Sequence, residues 1–487
     1  MSRLFNSRLL ALGLTLAMLV PMPAQALTID DFDLPRMGSS SGGINAHETY
    51  ELGRTWLRQF RARAPLWQDP ITQHYVESLI GQLLPYSNLP GIDPVVTLVD
   101  SRQLNAFAVP GGVIGVNTGL FSFAKNESEL ASVLAHELGH LSQHHFARRQ
   151  ARAEETQLPT MAAMLAGMLL AVGGGGDAGI AAAMGSQAAF IQDQLTYSRR
   201  YEEEADRVGL QAMAQAGFDP GASVDMFRSM QRLMALQGGN PPEFLLTHPV
   251  TQSRISDVQS RVAQIGSPGS AGVSDPRHAL VRARALLEIH RDDPTQAASQ
   301  LAQDSTSEAA RRYLEALIQA ERGNTQAALN ELDQLARELP DLPMIPTSAA
   351  QVAYETGRPE QALERIRRLL RLMPNYYPAE YLQAQALLGS DPGQAFTILR
   401  RLSERRPEDP QIFDLLAVAA GRSGQPAWGH LARAETLQLT GRIDQAIRQL
   451  EVAKDVAEQQ GDTTALSRIK IRRDAFLDYR ESLEDFR

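Results

Sequence analysis

Asn126-Glu-Ser-Glu-Leu-Ala-Ser-Val-Leu-Ala-His136-Glu137-Leu-Gly-His140-Leu-Ser-Gln-His144-His145 is the stretch whose reading decides this chain. His136 and His140 are four apart, so on a helix they stack one turn above the other on the same face. Two imidazoles so placed chelate one Zn²⁺ without backbone strain. Glu137 stands beside the metal and reaches its bound water, whose pKa zinc lowers to about 7. The helix marks its own start, with Asn126 as N-cap and Glu129 at N3 to close a capping box. Leu130, Val133, Leu134, Leu138 and Leu141 recur at helical spacing and hold the histidines on a packed element. A His-Glu-x-x-His string also arises by chance. This one sits in a capped, apolar context where unpaired polar groups are costly.

Outward from that helix, 487 residues are too many for one compact core, and two or more domains are expected. Residues 1–26 read as a secretory signal. Arg3 and Arg8 form its basic start, Leu9–Val20 its apolar run and Ala24-Gln25-Ala26 its small-residue cleavage site. The run is shorter than the roughly 20 residues that span a bilayer. There is no cysteine, so an exported chain has neither disulfides nor thiolate zinc ligands, and any metal rests on His and carboxylate. The formal charge of −9 grows more negative once the two signal arginines are removed, which argues against a nucleic-acid partner.

After the Gly38–Gly43 linker, residues 45–84 carry helical periodicity. Val95–Val99, Ala106–Val109 and Val113–Val116 then read as strands, with Pro110-Gly111-Gly112 as the turn between the last two. A sheet placed just before the His136 helix either supports that helix or offers an edge to an extended peptide. Leu158–Val172 and Ala178–Phe190 form an apolar hairpin around four glycines, each arm too short to span a membrane. It reads as a buried hairpin, or as an apolar flap (158–190) in peripheral contact with membrane or unfolded protein.

The helical stretch 193–216 carries Glu202-Glu-Glu-Ala-Asp206, in which Glu202 and Asp206 share a face. One is able to bind metal and the other to brace a ligating histidine. Glu203 and Glu204 point elsewhere, and the whole cluster also reads as a solvated helix face. His248 lies on a loop before Pro249, with Arg254 on the next helical segment. His144 shares the face of His136 and His140, but about 6 Å further along a straight helix. It ligates only if the chain breaks after His140, and no glycine there invites a break.

After a Gly/Ser/Pro linker at 266–275 the composition changes. Gly323 and Gly357 are 34 apart, as are Ala328-Leu329 and Ala362-Leu363, while Pro340, Pro374 and Pro407 close the units. That period with an inter-helix glycine is the tetratricopeptide pattern, whose concave face binds proteins. Gly441–Ala446 repeats the phrase Gly357–Ala362 out of phase, which predicts an odd helix near 411–424.

With these pieces in place the chain resembles periplasmic zinc metallopeptidases of the BepA type, within the HExxH family that includes HtpX and the CAAX-prenyl proteases. The resemblance rests on His136-Glu137-Leu138-Gly139-His140, Glu202-Glu-Glu-Ala-Asp206, His248-Pro249 and Asn105-Ala106-Phe107-Ala108. It implies a mainly α fold: an α-rich zincin-like domain with a small β-sheet over 27–265, then a tetratricopeptide α-solenoid over 276–487. It implies one Zn²⁺ per chain held by His136, His140 and Glu202, with Glu137 as general base, Asp206 orienting a histidine and 105–108 as substrate edge. His248 is then either a fourth ligand that plugs the site or a donor to the transition state. The implied work is periplasmic proteolysis of unfolded or misassembled outer-membrane proteins, beside the β-barrel assembly machinery and with a chaperone-like role. The competing class is a non-proteolytic chaperone or adaptor acting through its repeats, with a latent zinc site.

Overall fold

The computed structural model describes residues 46–149, 151–152, 198–236, 243–266, 276–303 and 307–484. The expected signal (1–26), the 38–43 linker and the 158–190 hairpin lie outside the described residues. Helices α1 (Ala46–Arg61) and α2 (Pro70–Leu83) open the fold. Asp69 caps α2 by accepting from Ile71 N, and Pro70 fills the first turn, where its missing N–H costs nothing.

The three expected strands form one sheet of order β1-β3-β2: β1 (Val95–Val99), β2 (Ala106–Val109) and β3 (Val113–Asn117). β1 runs parallel to β3 and β2 antiparallel to it, with Ala106 opposite Val116 and Ala108 opposite Ile114. Gly111 and Gly112 turn between β2 and β3 with φ of +81° and +82°, a region that favours glycine. Phe107 lies over Gly115 on β3 and packs edge-on against Trp56 and Phe60 of α1, which ties the sheet to the first helix.

Helix α3 (Thr118–Phe123) leads into α4 (Glu127–Ser142), the His136 helix. Asn126 Oδ1 accepts from Glu129 N at 2.9 Å as expected, but the return bond differs. Glu129 Oε2 accepts from Lys125 N at 2.7 Å, one residue before the cap. A short helix α5 (145–149) follows, then α6 (198–216), α7 (Gly221–Leu236), α8 (Glu243–Thr247) and α9 (Gln252–Ile265).

Among the described residues twelve further helices make up the repeats: α10 (Pro276–Ile289), α11 (Pro294–Gln303), α12 (Glu308–Glu321), α13 (Thr325–Glu338), α14 (Met344–Glu355) and α15 (Pro359–Leu372), then α16 (Tyr377–Leu387), α17 (Pro392–Arg405), α18 (Pro410–Arg422), α19 (Pro426–Leu439), α20 (Ile443–Gln460) and α21 (Thr463–Glu484). α18 is the odd helix expected near 411–424, packed between α17 and α19. Gly323 and Gly357 take φ of +82° and +76° at the turns their period marked.

The repeats close on the N-terminal half. α10 packs against α2 and α3, α16 against α2, and α19 and α21 against α1. One hydrophobic core runs without interruption from Trp67 to Leu382. Polar contacts line the seam: Arg282 Nε donates to Phe121 O at 2.9 Å, and Arg58 Nε to Gln438 Oε1 at 2.7 Å.

Two glycines set how close α4 and α6 come. A Cβ on Gly139 would stand 2.7 Å from Ala205 O, and one on Gly209 would stand 3.1 Å from the Ala135 carbonyl. Gly81, on α2, has open space where its Cβ would be. Gly139→Ala is therefore expected to cost about 1–3 kcal/mol by overpacking, while Gly81→Ala gains roughly 0.5–1 kcal/mol of helix stability. Urea unfolding of the two variants checks the contrast. Equal effects would mean that α4 and α6 have room to separate.

Candidate metal centre

The close approach of α4 and α6 brings Glu202 and Asp206 against the histidines. His136 Nε2 and His140 Nε2 lie 3.0 Å apart. Glu202 Oε2 is 3.3 Å from His136 Nε2, and Oε1 is 3.4 Å from His140 Nε2. His248, just after α8, adds Nδ1 at 3.3 Å from His136 Nε2 and 3.1 Å from Glu202 Oε2. One ligand atom from each of these four residues lies within 4.8 Å of all the others. Tetrahedral ligands at 2.0–2.1 Å from a common ion stand roughly 3.3 Å from each other. The three-histidine, one-carboxylate set therefore fits a tetrahedral cation in both donor type and spacing.

The charges around the cluster favour a cation at its centre. Burial opposes a charge on His136, yet its bonds to Asp206 and Glu202 outweigh burial and push its pKa up to about 10. Burial also opposes charge on Glu202, but His248 and His136 hold it well below the usual carboxylate range. His140 is pushed well below its ordinary value by burial and by the neighbouring His136. Glu137, almost fully buried, has its pKa raised by that burial, which suits a proton acceptor. Its carboxylate accepts from the Ala108 amide and lies 3.7 Å from His248 Nε2.

Asp206 braces His136 from behind, with Oδ1 at 2.9 Å from Nδ1. Arg254, buried on α9, donates from Nε and Nη2 to the two Asp206 oxygens, both at 2.8 Å. Its Nη1 reaches Glu202 Oε2 at 3.0 Å and donates to Pro249 O at 2.8 Å. The sequence places Arg254 on the helical segment after His248-Pro249 but carries no sign of this role.

A second brace was also missed. His145 Nδ1 meets His140 Nδ1 at 2.9 Å, and its Nε2 meets Glu204 Oε2 at 3.2 Å. Arg148 Nη1 donates to the same Glu204 oxygen. Glu204 thus belongs to the centre's periphery, while Glu203 is exposed as expected. The chain does break after α4, contrary to expectation. His144 takes φ +51° without a glycine, and the break turns His144 into solvent while folding His145 back under His140.

The expected substrate edge lies alongside. Asn105 O accepts from Asn117 N, so 105, 107 and 109 bond to β3, whereas the N–H and C=O groups of Ala106 and Ala108 turn away from it. Phe107 belongs to the core, and Asn105 is buried. No helix of the described residues is long and apolar enough to cross a membrane.

Comparison with known proteins agrees with this geometry. Residues 70–262 match the profile of Peptidase family M48. The chain is 31% identical over 445 residues to the beta-barrel assembly-enhancing protease of Escherichia coli K12, covering 90% of each chain. It is 30% identical over 460 residues to the putative beta-barrel assembly-enhancing protease of Vibrio cholerae, covering 92% of this chain and 94% of that one. The mitochondrial metalloendopeptidase OMA1 of Schizosaccharomyces pombe is 30% identical over 193 residues, 39% of this chain and 52% of that one. Likeness at this level along nine-tenths of both chains, together with the family profile across the metal-centre residues, makes this chain a metallopeptidase of family M48, in the group of the beta-barrel assembly-enhancing proteases.

Proposed function

We propose that the chain is a periplasmic zinc endopeptidase that acts on misassembled outer-membrane β-barrel proteins, with a chaperone-like role in their assembly. The observation that carries the zinc reading is the cluster of His136, His140, Glu202 and His248, whose ligand atoms converge within 4.8 Å. The client class is taken from the names of the relatives that match along nearly the whole chain. In this reading residues 27–265 are the peptidase domain and 276–487 the tetratricopeptide domain.

His136, His140 and Glu202 would hold Zn²⁺, with Asp206 fixing the His136 ring. When bound, the ion supplies Lewis acidity and lowers the pKa of water at neutral pH. Glu137 takes the proton at its carboxylate, which burial has made more basic. The outward N–H and C=O of Ala106 and the outward C=O of Ala108 pair with a substrate main chain laid along β2. The Ala108 amide already meets Glu137, so a peptide on this edge passes beside the proton acceptor.

His248 is read as a plug. Its Nδ1 sits among the ligand atoms at 3.1–3.3 Å, the spacing of a fourth ligand rather than of a group waiting at one side. A catalytic site needs that position open, so His248 must withdraw before substrate is cut.

Elemental analysis should give one Zn²⁺ per chain in wild type and Glu203→Ala and a loss of zinc in His136→Ala, His140→Ala and Glu202→Ala. Zinc kept by Glu202→Ala would move the third ligand elsewhere. Glu137→Gln should keep zinc and cleave unfolded β-barrel protein at least about 100-fold more slowly. Unchanged cleavage there would remove Glu137 as the base, and a wild type that cleaves nothing would favour the chaperone with a latent site.

His248→Ala separates plug from donor by sign. Basal proteolysis and self-cleavage should rise if the imidazole blocks the fourth position. A slower His248→Ala enzyme would instead make His248 a transition-state donor.

Ala106→Pro removes an outward N–H without touching the ladder to β3. It is expected to lower proteolysis while zinc stays bound. Equal activity in the folded variant would reduce β2 to scaffold.

A further inference from the structure

A second cavity, of about 300 Å³, lies away from the metal centre, where α2 and β1 meet residues 405–411, the end of α17, the turn after it and the start of α18. Its walls are mixed: apolar Trp67, Ile80 and Val96 together with Tyr377, Arg61 and Glu408. Arg61 is only 9% exposed, and its Nη1 has no hydrogen-bond partner among the described residues. Glu408 Oε2 is likewise buried and without a partner. A buried guanidinium nitrogen and a buried carboxylate oxygen left unpaired are costly, and in native proteins they mark a missing water, ion or ligand.

The other charges on these walls, the exposed Asp93 aside, are already engaged. Asp69 is paired with Arg284 through two bonds of 2.7 and 2.9 Å. Glu77 is held by Arg406, with one bond of 2.8 Å, and Arg405 is held by Glu380. Asp409 accepts from Tyr377 Oη at 2.9 Å and from Gln411 N at 3.0 Å. Asp93 is exposed. Glu408 Oε1 faces Arg54 and Arg58 at 3.7 and 3.8 Å, so the one acid is shared among several arginines of α1 and does not neutralise them all. The cavity thus presents one unused cationic donor and one unused acceptor beside an apolar wall.

We propose that this cavity binds the carboxyl-terminal residue of a polypeptide. The terminal carboxylate takes the Arg61 N–H, the residue's own amide N–H donates to Glu408 Oε2, and an apolar side chain rests against Trp67, Ile80 and Val96. Each unpaired atom then gains the partner its chemistry requires. A charge-assisted bond from a guanidinium to a carboxylate is among the stronger hydrogen bonds a buried site offers. Burial lowers the Arg61 pKa to about 10, and an anion at Nη1 offsets that same penalty. The site does not depend on the metal centre or on the zinc reading.

Trp67 gives the readout. The full chain is titrated with N-acetyl-L-leucine, N-acetyl-L-leucinamide and 4-methylpentanoate, following tryptophan fluorescence and heat. N-acetyl-L-leucine should give saturable binding. The amide, which lacks the carboxylate, should bind at least tenfold more weakly, and so should 4-methylpentanoate, which lacks the N–H. Arg61→Gln should abolish binding, and the three-ligand comparison on wild type stands even if that variant fails to fold. No saturable binding by N-acetyl-L-leucine would mean that the cavity holds only water and would overturn the proposal. Equal binding of acid and amide, or of 4-methylpentanoate and N-acetyl-L-leucine, would overturn the assignment to a chain terminus.

Discussion

Backbone contact between α4 and α6 is the constraint on which the centre depends. Glu202 and Asp206 on α6 meet the imidazoles of α4 at 2.9–3.4 Å, with the two helices in backbone contact between them. Gly139, inside the His-Glu-x-x-His string, lets the Ala205 backbone come into contact, and Gly209 does the same for Ala135 one turn away. The spacing of Glu202 and Asp206 then has a geometric meaning. Four residues place one carboxylate at the Nε2 atoms of the histidine pair and the other at the back of His136, so a single helix supplies both carboxylates of the cluster.

That approach gathers negative charge in a buried place. Glu137, Glu202 and Asp206 are each nearly sealed from solvent, and three such carboxylates repel. Arg254 is the fixed counter-charge. Its fork holds Asp206 through two bonds and touches Glu202, and its remaining nitrogen takes the Pro249 carbonyl. One guanidinium therefore references Asp206, Glu202 and the His248-Pro249 segment to a common point. A lysine could not do this, because a single ammonium lacks the planar, bidentate geometry.

What could be read in the sequence follows from where each interaction lives. His136, Glu137 and His140 were legible because their relation is local to one helix, and periodicity plus the Asn126 cap fixes that helix. Glu202 and Asp206 were half legible: spacing put them on one face, but only the fold shows what the face meets. Arg254 and His145 act across tertiary contacts, and nothing in their immediate neighbourhood distinguishes them from surface residues. The break after Ser142 was unreadable for a different reason. A non-glycine residue at positive φ is uncommon, so His144 gave no sign of the turn it makes. The repeats were legible because a 34-residue period needs a glycine at each tight turn, and Gly323 and Gly357 meet that need.

How the repeats meet the N-terminal half was not legible. Asp69, the cap of α2, receives two bonds from Arg284 on α10. The same guanidinium donates to Tyr313 on α12 and to Ser348 and Gln351 on α14. Side chains of three successive repeats thus meet at Arg284, and Arg284 alone carries them to Asp69 at the start of α2. A buried ion pair is stable only when its remaining donors and acceptors are satisfied, and that requirement makes it specific for one arrangement. Arg406 with Glu77, and Arg58 with Gln438, repeat the logic further along. Helices α10 and α16 of the array are packed against α2, and α19 and α21 against α1, of the same chain. The seam is thus held by paired charges, and among the described residues Arg61 Nη1 and Glu408 Oε2 stand out there as buried atoms without a hydrogen-bond partner.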